Sequence, residues 1–253
     1  MTGHPDVFLS VIIPAFDEAG RIADTVRRVT SYLDAQPWTW QLLVVLDGGR
    51  PGSAEAIRSA AAGRSNVLTL DNETNRGKGF SVRRGMLAAT GRFRVFVDAD
   101  LSLPIEGTAA LVAELERGAG AAIGSRAVPG SAEHGERARL RHVMGRLFNG
   151  FVRALAVRGV RDTQCGFKGF RGEAADAIFR LSRIDRFGFD VEVLRLAQRL
   201  GYRIAEVPVT CTYHGVSSVR LRDVAAMIVD VLKVRWWEAT GGYVGVGHRG
   251  FTQ

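Results

Sequence analysis

The chain has 253 residues, of which 46% are hydrophobic and 24% are charged, a composition that fits one large α/β domain with a substantial core. It has no internal repeat, collagen-like period or long low-complexity tract, which excludes the solenoid, fibrous and disordered classes. Two cysteines, Cys165 and Cys211, are too few for a disulfide scaffold and lack the paired spacing of a zinc site. The formal net charge of +8 indicates an anionic partner, which leaves nucleic acid, a phosphorylated substrate and lipid headgroups as the choices.

The apolar segments predict neither an export signal nor a membrane span. No basic region followed by a long apolar stretch precedes the first strand-like run. Every apolar run is interrupted by charge before the roughly 20 residues that a membrane-spanning helix needs. We therefore expect a cytoplasmic chain that does not cross the membrane.

The first half alternates short aliphatic runs with helix-length segments. The predicted strands are residues 9–13, 41–46, 66–70, 93–97 and 121–123. The predicted helices are residues 21–33, 54–62, 79–89 and 106–117. This alternation predicts an α/β fold with a mainly parallel sheet flanked by helices. Because such sheets bind ligands beyond the carboxyl ends of their strands, a site is expected in the segments that follow the strands.

The second half is less regular. A stretch rich in Gly, Pro and Ser at 128–135 precedes a long amphipathic helical pattern at 137–157. The remaining predictions are an extended segment at 165–170, a helix at 191–200, a strand at 204–209 and a second amphipathic helix at 221–237. The Gly-rich tail, residues 241–253, is expected to be loose.

Acidic and basic residues follow the first three predicted strands. The first strand leads into Pro14-Ala15-Phe16-Asp17-Glu18, whose carboxylates could equally cap the next helix. The second leads into Asp47-Gly48-Gly49, where glycines allow a ligand close approach but also suit a simple turn. The third leads into Asn75-Arg76-Gly77-Lys78-Gly79, a basic loop that opens a helix and suits a phosphate by its charge and its free N–H groups.

The fourth predicted strand ends in Asp98-Ala99-Asp100. Two aspartates separated by one small residue at a sheet edge offer the hard oxygen ligands that Mg²⁺ and Mn²⁺ prefer. A solvated acidic turn is the alternative for an isolated Asp-x-Asp. The acids, glycines and basic loop that follow the neighbouring strands favour the metal, which would bridge a diphosphate and neutralise charge on a departing nucleotide.

These motifs together resemble the inverting glycosyltransferases of family 2, which have the Rossmann-like GT-A fold. The segment at 14–18 is similar to the family's opening Pro-Ala-x-Asn-Glu, and Asp47-Gly48 to its Asp-Asp-Gly-Ser, so Leu46 and Asp17 depart from the pattern. Four later segments, at 124–126, 162–168, 189–192 and 206–209, resemble polyprenyl- or dolichyl-phosphate glucosyl- and mannosyltransferases. The segment at 232–236 lacks the glutamine of the processive synthases' Gln-x-x-Arg-Trp.

The resemblance implies roles for individual residues. Implied donor-binding residues are Pro14, Ala15, Asp17, Glu18, Asp47, Lys78, Gly79, Asp98 and Ala99. Asp98 and Asp100 are the implied catalytic pair and the ligands of Mg²⁺ or Mn²⁺. The implied clamps on an acceptor phosphate are Arg126, Arg139 and Lys168, for which surface ion pairing is the alternative. His214 could touch the diphosphate or metal, although a loop histidine is the plainer interpretation. One domain, residues 1–240, would comprise a nucleotide-sugar half at 9–125 and an acceptor half at 126–240.

Positive charge concentrates between Glu136 and Asp162. This segment holds seven arginines and no acid. They are Arg137, Arg139, Arg141, Arg146, Arg153, Arg158 and Arg161. In the helical pattern at 137–157, basic residues lie on one face and apolar residues on the opposite face. This fits either a helix packed on the core or an interfacial helix on an anionic membrane. Trp236 and Trp237 favour headgroup depth for the second amphipathic helix. No stacking platform or motif for nucleic acid accompanies this charge.

The sequence thus predicts an enzyme that transfers glucose from UDP-glucose to a polyprenyl or dolichyl phosphate, peripheral on the cytoplasmic membrane face. Mannosyl transfer from GDP-mannose is one alternative. A soluble glycosyltransferase acting on a hydroxyl is another, and it would use Asp190 or Glu192 as a base. A nonenzymatic nucleotide-sugar binder is the third.

Overall fold

The structure is a computed structural model that describes residues 6–18, 20–48, 52–134, 150, 152, 155–212 and 221–243. Most of the predicted helix at 137–157, including Arg139, lies outside the described residues, as does His214.

A seven-stranded sheet forms the centre of the protein, in the order β3-β2-β1-β4-β7-β5-β8. Its strands are Leu9–Ala15 (β1), Trp40–Leu46 (β2), Val67–Asp71 (β3), Phe93–Phe96 (β4), Ala121–Ser125 (β5), Lys168–Arg171 (β7) and Ile204–Pro208 (β8). All neighbouring strands are parallel except β7, which runs antiparallel to both β4 and β5. The predicted mainly parallel sheet is confirmed. Its inner strands are near-continuous apolar runs because both of their faces are covered.

Helices cover both faces of the sheet. They are Ile22–Asp34 (α1), Ser53–Ala60 (α2), Lys78–Ala88 (α3), Thr108–Glu116 (α4), Gly172–Leu181 (α5), Phe189–Arg199 (α6) and Leu221–Ala239 (α7), with a 3₁₀ turn at Ile105–Gly107. Apolar residues of α1, α2 and α4 belong to one core cluster. Those of α3, α5, α6 and α7 belong to the other. The fold is therefore a three-layer α/β sandwich.

The carboxyl ends of β1, β2 and β4 meet at one edge of this sheet. Ala15 is level with Leu46 in the β1–β2 pair, and Ile12 is level with Phe96 in the β1–β4 pair. The segments that follow these strands therefore leave the sheet side by side. No helix among the described residues is long and apolar enough to cross a membrane.

The second half differs from the sequence predictions in three places. Helix α5 was not predicted, although Ala174, Ala175, Ile178 and Phe179 are buried at helical spacing. A small parallel sheet pairs Ala132–His134 (β6), within the stretch rich in Gly, Pro and Ser, with Thr210–Thr212 (β9), and neither strand was predicted. Three-residue strands with a distant partner carry no local periodicity, so only tertiary contacts reveal them.

The expectation of a loose tail from residue 241 is wrong for the first residues of that tail. The Tyr243 side chain is buried, and its ring meets Trp237 edge-on at 5.9 Å between centroids. The tail beyond Tyr243 lies outside the described residues.

Candidate functional site

Carboxylates crowd the sheet edge where β1 and β4 end. Burial raises the pKa of Glu18 and nearby Arg21 lowers it, while Asp100, Asp17 and Asp98 add to the increase. Three of the four charged neighbours that act on Glu18 are thus carboxylates. These carboxylates disfavour one another's ionised forms, an effect that Arg21, 2.7 Å from Glu18, partly offsets.

The backbone between the two aspartates of the Asp-x-Asp motif is held by helix α1. The Thr25 hydroxyl donates a hydrogen bond of 2.7 Å to the carbonyl of Ala99. The Asp100 carboxylate in turn accepts a hydrogen bond of 3.0 Å from the Ser102 N–H. Both aspartates are partly exposed, whereas Ala99 between them is buried. The two carboxylates therefore leave a fixed turn and face solvent.

This turn contains strained backbone. Leu101 has a φ of 46°, in the left-handed region that a bulky residue rarely adopts. Such a conformation costs on the order of 1–3 kcal/mol and concentrates at functional sites. Asp17, across the edge, has a φ of 57°. Asparagine and aspartate tolerate this region best, which accounts for Asp17 occupying a position where the family pattern has asparagine.

Lys78, the first residue of α3, reaches back to this acidic edge. Its Nζ lies 2.6 Å from Asp98 Oδ1. Burial works to lower the pKa of Lys78, but the charges of Asp98 and Asp190, with a smaller contribution from Asp100, raise it above its ordinary value. Lys78 is therefore a fixed cation between the edge and the interior.

A second ion pair lies behind the first. Lys168, on β7, is fully buried, pairs with Asp190 at the start of α6 and donates 2.6 Å to the Cys165 carbonyl. Burial raises the pKa of Asp190, whereas Lys168 and Lys78 oppose the increase. Charges of alternating sign thus lead from the edge into the core, in the order Asp98, Lys78, Asp190 and Lys168. The Lys168 ammonium is buried inside the protein, whereas the resemblance implied that it would contact the acceptor phosphate.

The second half of the chain closes tightly on Asp98. A Cβ atom added to Gly166 would stand 2.1 Å from Asp98 Oδ2. Only glycine leaves room for the carboxylate there. Gly166 lies in the 162–168 segment that resembles the family, but it was not predicted as a site residue. Its close approach to Asp98 depends on tertiary packing and could not be deduced from sequence spacing.

Asp47, which follows β2, is buried, and both of its oxygens are occupied. It accepts hydrogen bonds from the Asn72 amide at 2.9 Å and from the backbone N–H groups of Arg76 and Gly77 at 2.8 Å each. Gly77 adopts a φ of 104°, and a Cβ there would lie 2.4 Å from the Asp185 carbonyl oxygen. Asp47 therefore organises the basic loop that carries Lys78, in contrast to the direct nucleotide contact implied by the resemblance.

The remaining predicted donor residues line the same edge. Pro14 and Ala15 are the last residues of β1, and the Ala15 carbonyl accepts a hydrogen bond of 2.9 Å from the Asp47 N–H. Gly79 is buried in the first turn of α3, where an added Cβ would lie 2.4 Å from the Ile184 carbonyl oxygen.

Arg126, which follows β5, makes a bidentate pair with Asp162. Its Nε and Nη2 atoms lie 2.7 and 2.9 Å from the two carboxylate oxygens. Burial would raise the pKa of Asp162, but the hydrogen bonds and charge of Arg126 bring it below its usual value. Glu206 fixes the same segment by accepting from the N–H groups of Arg161 and Asp162 at 2.9 and 3.1 Å.

Glu192, predicted as a possible base, lies away from the acidic edge. It is fully buried and accepts from the N–H groups of Arg183 and Ile184 at 2.9 Å each, and from the Tyr243 hydroxyl at 2.9 Å. Burial raises the pKa of Glu192 despite these donors. Glu192 thus anchors the 183–184 loop, and the Tyr243 hydroxyl completes the anchor from a segment in which no site residue was predicted.

Comparisons with known proteins agree with this geometry. The profile of glycosyl transferase family 2 matches residues 10–179, more than half of the chain. A dolichyl-phosphate beta-glucosyltransferase of Dictyostelium discoideum is 32% identical over 244 residues, covering 91% of this chain and 75% of that protein. The Homo sapiens protein of the same name is 30% identical, covering 94% of this chain and 78% of its own length.

Solved structures show the same fold. Glucosyl-3-phosphoglycerate synthase from Mycobacterium tuberculosis, in complex with Mn²⁺, UDP and glucosyl-3-phosphoglycerate, superposes with a TM-score of 0.68 at 18% identity, covering 98% of this chain and 84% of that chain. At this identity the likeness concerns the fold alone. The profile match and these relatives establish that the chain belongs to glycosyl transferase family 2.

Proposed function

We propose that this glycosyltransferase transfers glucose from UDP-glucose to the phosphate of a polyprenyl or dolichyl lipid, with inversion. The observation that carries the proposal is the acidic edge of Glu18, Asp98 and Asp100, where Lys78 pairs with Asp98, in a chain whose relatives over most of its length are dolichyl-phosphate glucosyltransferases. Such an edge suits a nucleotide diphosphate that arrives with a metal ion.

On the donor side, the base and ribose would lie against Pro14, Ala15, Asp17 and Glu18, at the end of β1. Lys78 and Gly79 open helix α3, whose N-terminal N–H groups and positive dipole end favour a phosphate. Asp47 acts through the loop that it holds, as a positioning residue. Asp98 and Ala99 complete the donor contacts.

The residues at this edge fit a divalent cation. Asp98 and Asp100 offer partly exposed carboxylate oxygens, and the carboxylates that raise the pKa of Glu18 mark a potential that favours a cation. Mg²⁺ or Mn²⁺ held by this pair would neutralise charge on the departing UDP. Among the described residues, no three His, Cys, Asp or Glu side chains form a metal site on their own. Diphosphate oxygens, water and His214 are the proposed sources of the remaining ligands.

A phosphate acceptor explains the state of the two predicted bases. Asp190 and Glu192 are both buried, and both are engaged by partners inside the protein. A phosphate monoester has a second pKa of about 6 and is largely anionic at neutral pH, so it attacks the anomeric carbon without a strong base. This favours the lipid phosphate over the hydroxyl acceptor.

The acceptor phosphate would lie near Arg126 and Arg139. Arg126 is preorganised by its bidentate pair with Asp162, and Arg139 lies in the arginine-rich segment outside the described residues. Lys168 contributes from inside, because its pair with Asp190 sets the charge behind Lys78. We further propose that the enzyme is peripheral on the cytoplasmic membrane face, where a lipid acceptor is within reach.

The test is transfer of radiolabelled glucose from UDP-glucose, with Mn²⁺ or Mg²⁺, to a polyprenyl phosphate in detergent. We expect label in the organic phase with the polyprenyl phosphate and none with the corresponding polyprenol. GDP-mannose and 3-phosphoglycerate serve as the alternative donor and a soluble phosphorylated acceptor. Preference for GDP-mannose, or transfer to 3-phosphoglycerate without transfer to the lipid phosphate, would overturn the proposal.

A further inference from the structure

Helix α7 has an apolar face directed at solvent. Ile228, Val229, Leu232 and Trp236 are 39%, 50%, 53% and 62% exposed. They recur at the three- and four-residue spacing of one helix face, and the small residues Ala225 and Ala239 extend the same face. Single exposed apolar residues are normal on a protein surface, but a continuous stripe of large ones marks an interaction site.

The opposite face of α7 holds the helix on the protein. Met227, Val231 and Val234 are buried, and the two valines belong to the core cluster beneath α6. The helix is therefore fixed by its inner face, and its apolar outer stripe is not a consequence of loose packing.

The charges of α7 are sorted between the same two faces. Lys233 and Arg235 border the stripe, with side chains 50% and 48% exposed. Asp230 and Glu238, two of the three acids of α7, have side chains that are only 12% and 19% exposed. Asp230 lies 3.2 Å from Lys233, and Glu238 is held by Arg195 and Arg235. Burial opposes ionisation of Glu238, but its hydrogen bonds and charge contacts with Arg195 lower its pKa below the usual value. The outer face thus presents apolar and positive groups together.

A cavity of about 500 Å³ adjoins the stripe and adds further positive charge. Val229 and Lys233 line one side of it, and Arg183 and Arg186 of the 183–186 loop line the other. Asp185 in the same loop is paired with Arg83. Asp230 also lines the cavity and pairs with Lys233, so Arg183 and Arg186 are the cations that would meet a phosphate headgroup next to the apolar helix face.

We propose that the outer face of α7, with the adjoining Arg183–Arg186 cavity, docks the enzyme on an anionic lipid bilayer. The stripe would enter the boundary between headgroups and acyl chains, with Trp236 at headgroup depth and the cations at the level of the phosphates. A second copy of this chain is the rival occupant, and the oligomeric state of the protein distinguishes it from a bilayer. This surface extends the proposed function by naming where the lipid is met.

The docking surface adjoins the candidate donor site. The carbonyl of Asp185 accepts a hydrogen bond of 3.0 Å from the Phe80 N–H in the first turn of α3. The 183–186 loop therefore contacts both the membrane-facing cavity and the helix that carries Lys78. A lipid phosphate near Arg183 and Arg186 would lie beside the loop that holds the donor.

The experiment measures cosedimentation of the whole protein with phosphatidylglycerol vesicles and with neutral phosphatidylcholine vesicles. We expect binding to the anionic vesicles, weakened by salt as the screening length falls from about 10 Å at 0.1 M to about 3 Å at 1 M. The Leu232→Ser/Trp236→Ser variant should bind at least tenfold more weakly. The control is Leu68→Ser/Leu200→Ser, which changes two leucines elsewhere on the surface that are 43% and 38% exposed. Wild-type tryptophan fluorescence should shift to the blue on vesicles, and Trp236→Ser should lose most of the shift.

Two further measurements separate this proposal from its rivals. Transfer to a short-chain, water-soluble prenyl phosphate without vesicles should be unchanged in the Leu232→Ser/Trp236→Ser variant, which shows that the donor site is intact. Concentration-dependent dimers that this variant abolishes would assign the face to a second copy and overturn the proposal. So would wild-type protein that ignores anionic vesicles at low salt, or a variant that binds them as well as the wild type. Vesicle binding without any glucosyl transfer would overturn the proposed function and leave the docking surface standing.

Discussion

The two halves of the chain use charge in opposite ways. At the edge formed by β1 and β4, the carboxylates of Glu18, Asp98 and Asp100 crowd one another and are partly exposed. In the second half, Lys168 and Glu192 are fully buried, and each already has partners inside the protein. In the first arrangement Arg21 and Lys78 pair with Glu18 and Asp98, and the partly exposed carboxylates remain accessible to an external cation, whereas the second is complete as it stands. Acidic motifs of similar appearance in a sequence can therefore serve a ligand or serve the scaffold.

The contrast has an energetic basis. A buried charge without its partner is strongly unfavourable, so a folded protein neutralises such a charge internally. Partly exposed carboxylates keep part of their hydration and can remain close to one another until a ligand arrives. Changes in the second half should consequently alter stability, and changes at the edge should alter activity.

The largest expected effect is on stability, from Lys168→Met. It leaves Asp190 buried without its nearest cation, and breaking a buried pair in this way costs about 3–5 kcal/mol. The measurement is urea unfolding. Lys233→Met is the control, because it removes a half-exposed lysine from an ion pair and should cost no more than about 1 kcal/mol. Adding Asp190→Leu to Lys168→Met should recover much of the loss, and equal stability of Lys168→Met and wild type would contradict the scaffold role.

Asp100→Ala should instead lower turnover strongly and change stability little. Loss of electrostatic stabilisation at the reacting centre lowers turnover by about 100- to 1,000-fold or more, while removal of the hydrogen bond to Ser102 costs only about 1 kcal/mol of stability. Transfer assays and thermal melts check the two parts. The control is Asp24→Ala, an exposed aspartate of α1 paired with Arg27. Turnover within a few-fold of wild type would exclude Asp100 from the site.

A divalent ion should act on the edge alone. UDP should bind at least about tenfold more tightly with Mn²⁺ than with EDTA, a difference of roughly 1.4 kcal/mol, because the ion joins the diphosphate to Asp98 and Asp100. Calorimetry measures both affinities. The difference should collapse in Asp100→Ala and persist in Tyr243→Phe, a variant of the other region. Equal affinities in wild type would argue against a metal-bridged diphosphate.

The smallest effect concerns Glu192→Gln, expected to cost about 1–3 kcal/mol near pH 4.5, because both oxygens of Glu192 meet donors and the amide replaces one of these oxygens with an NH₂ group. The folded-state pKa of Glu192 is raised above its ordinary 4.5, so folding favours its protonated form. The wild-type contribution is therefore present below pH 4.5 and is lost as the pH rises through the folded pKa. The difference in free energy of unfolding between wild type and Glu192→Gln should therefore shrink as the pH rises, and urea unfolding measures it.

Glu173→Gln is the matched control, since Glu173 is an exposed glutamate paired with Arg171. It should show little change at any of these pH values. A deficit of Glu192→Gln that grows with pH would contradict the raised pKa.

The sequence was informative about the first half for a specific reason. Buried parallel strands are continuous apolar runs, and the residues after them must emerge at one edge, so Glu18, Asp98 and Asp100 could be placed together from local pattern alone. The pattern could not show that Asp47 is occupied by the basic loop, since its donors at Arg76 and Gly77 lie about 30 residues away in sequence. Helix α5, by contrast, could have been predicted, because its buried apolar residues recur at helical spacing.

By itself, then, the sequence determined the alternation of strands and helices, the edge that bears the site and the acidic pair after β4, because each depends on residues that are neighbours in the chain. The tertiary structure alone decided which charges neutralise one another. Lys168 meets Asp190 across 22 positions, Arg126 meets Asp162 across 36, and Glu192 meets Tyr243 across 51. Burial makes these pairings obligatory, but which partners come together is set by how the helices pack on the sheet, and no local pattern records that.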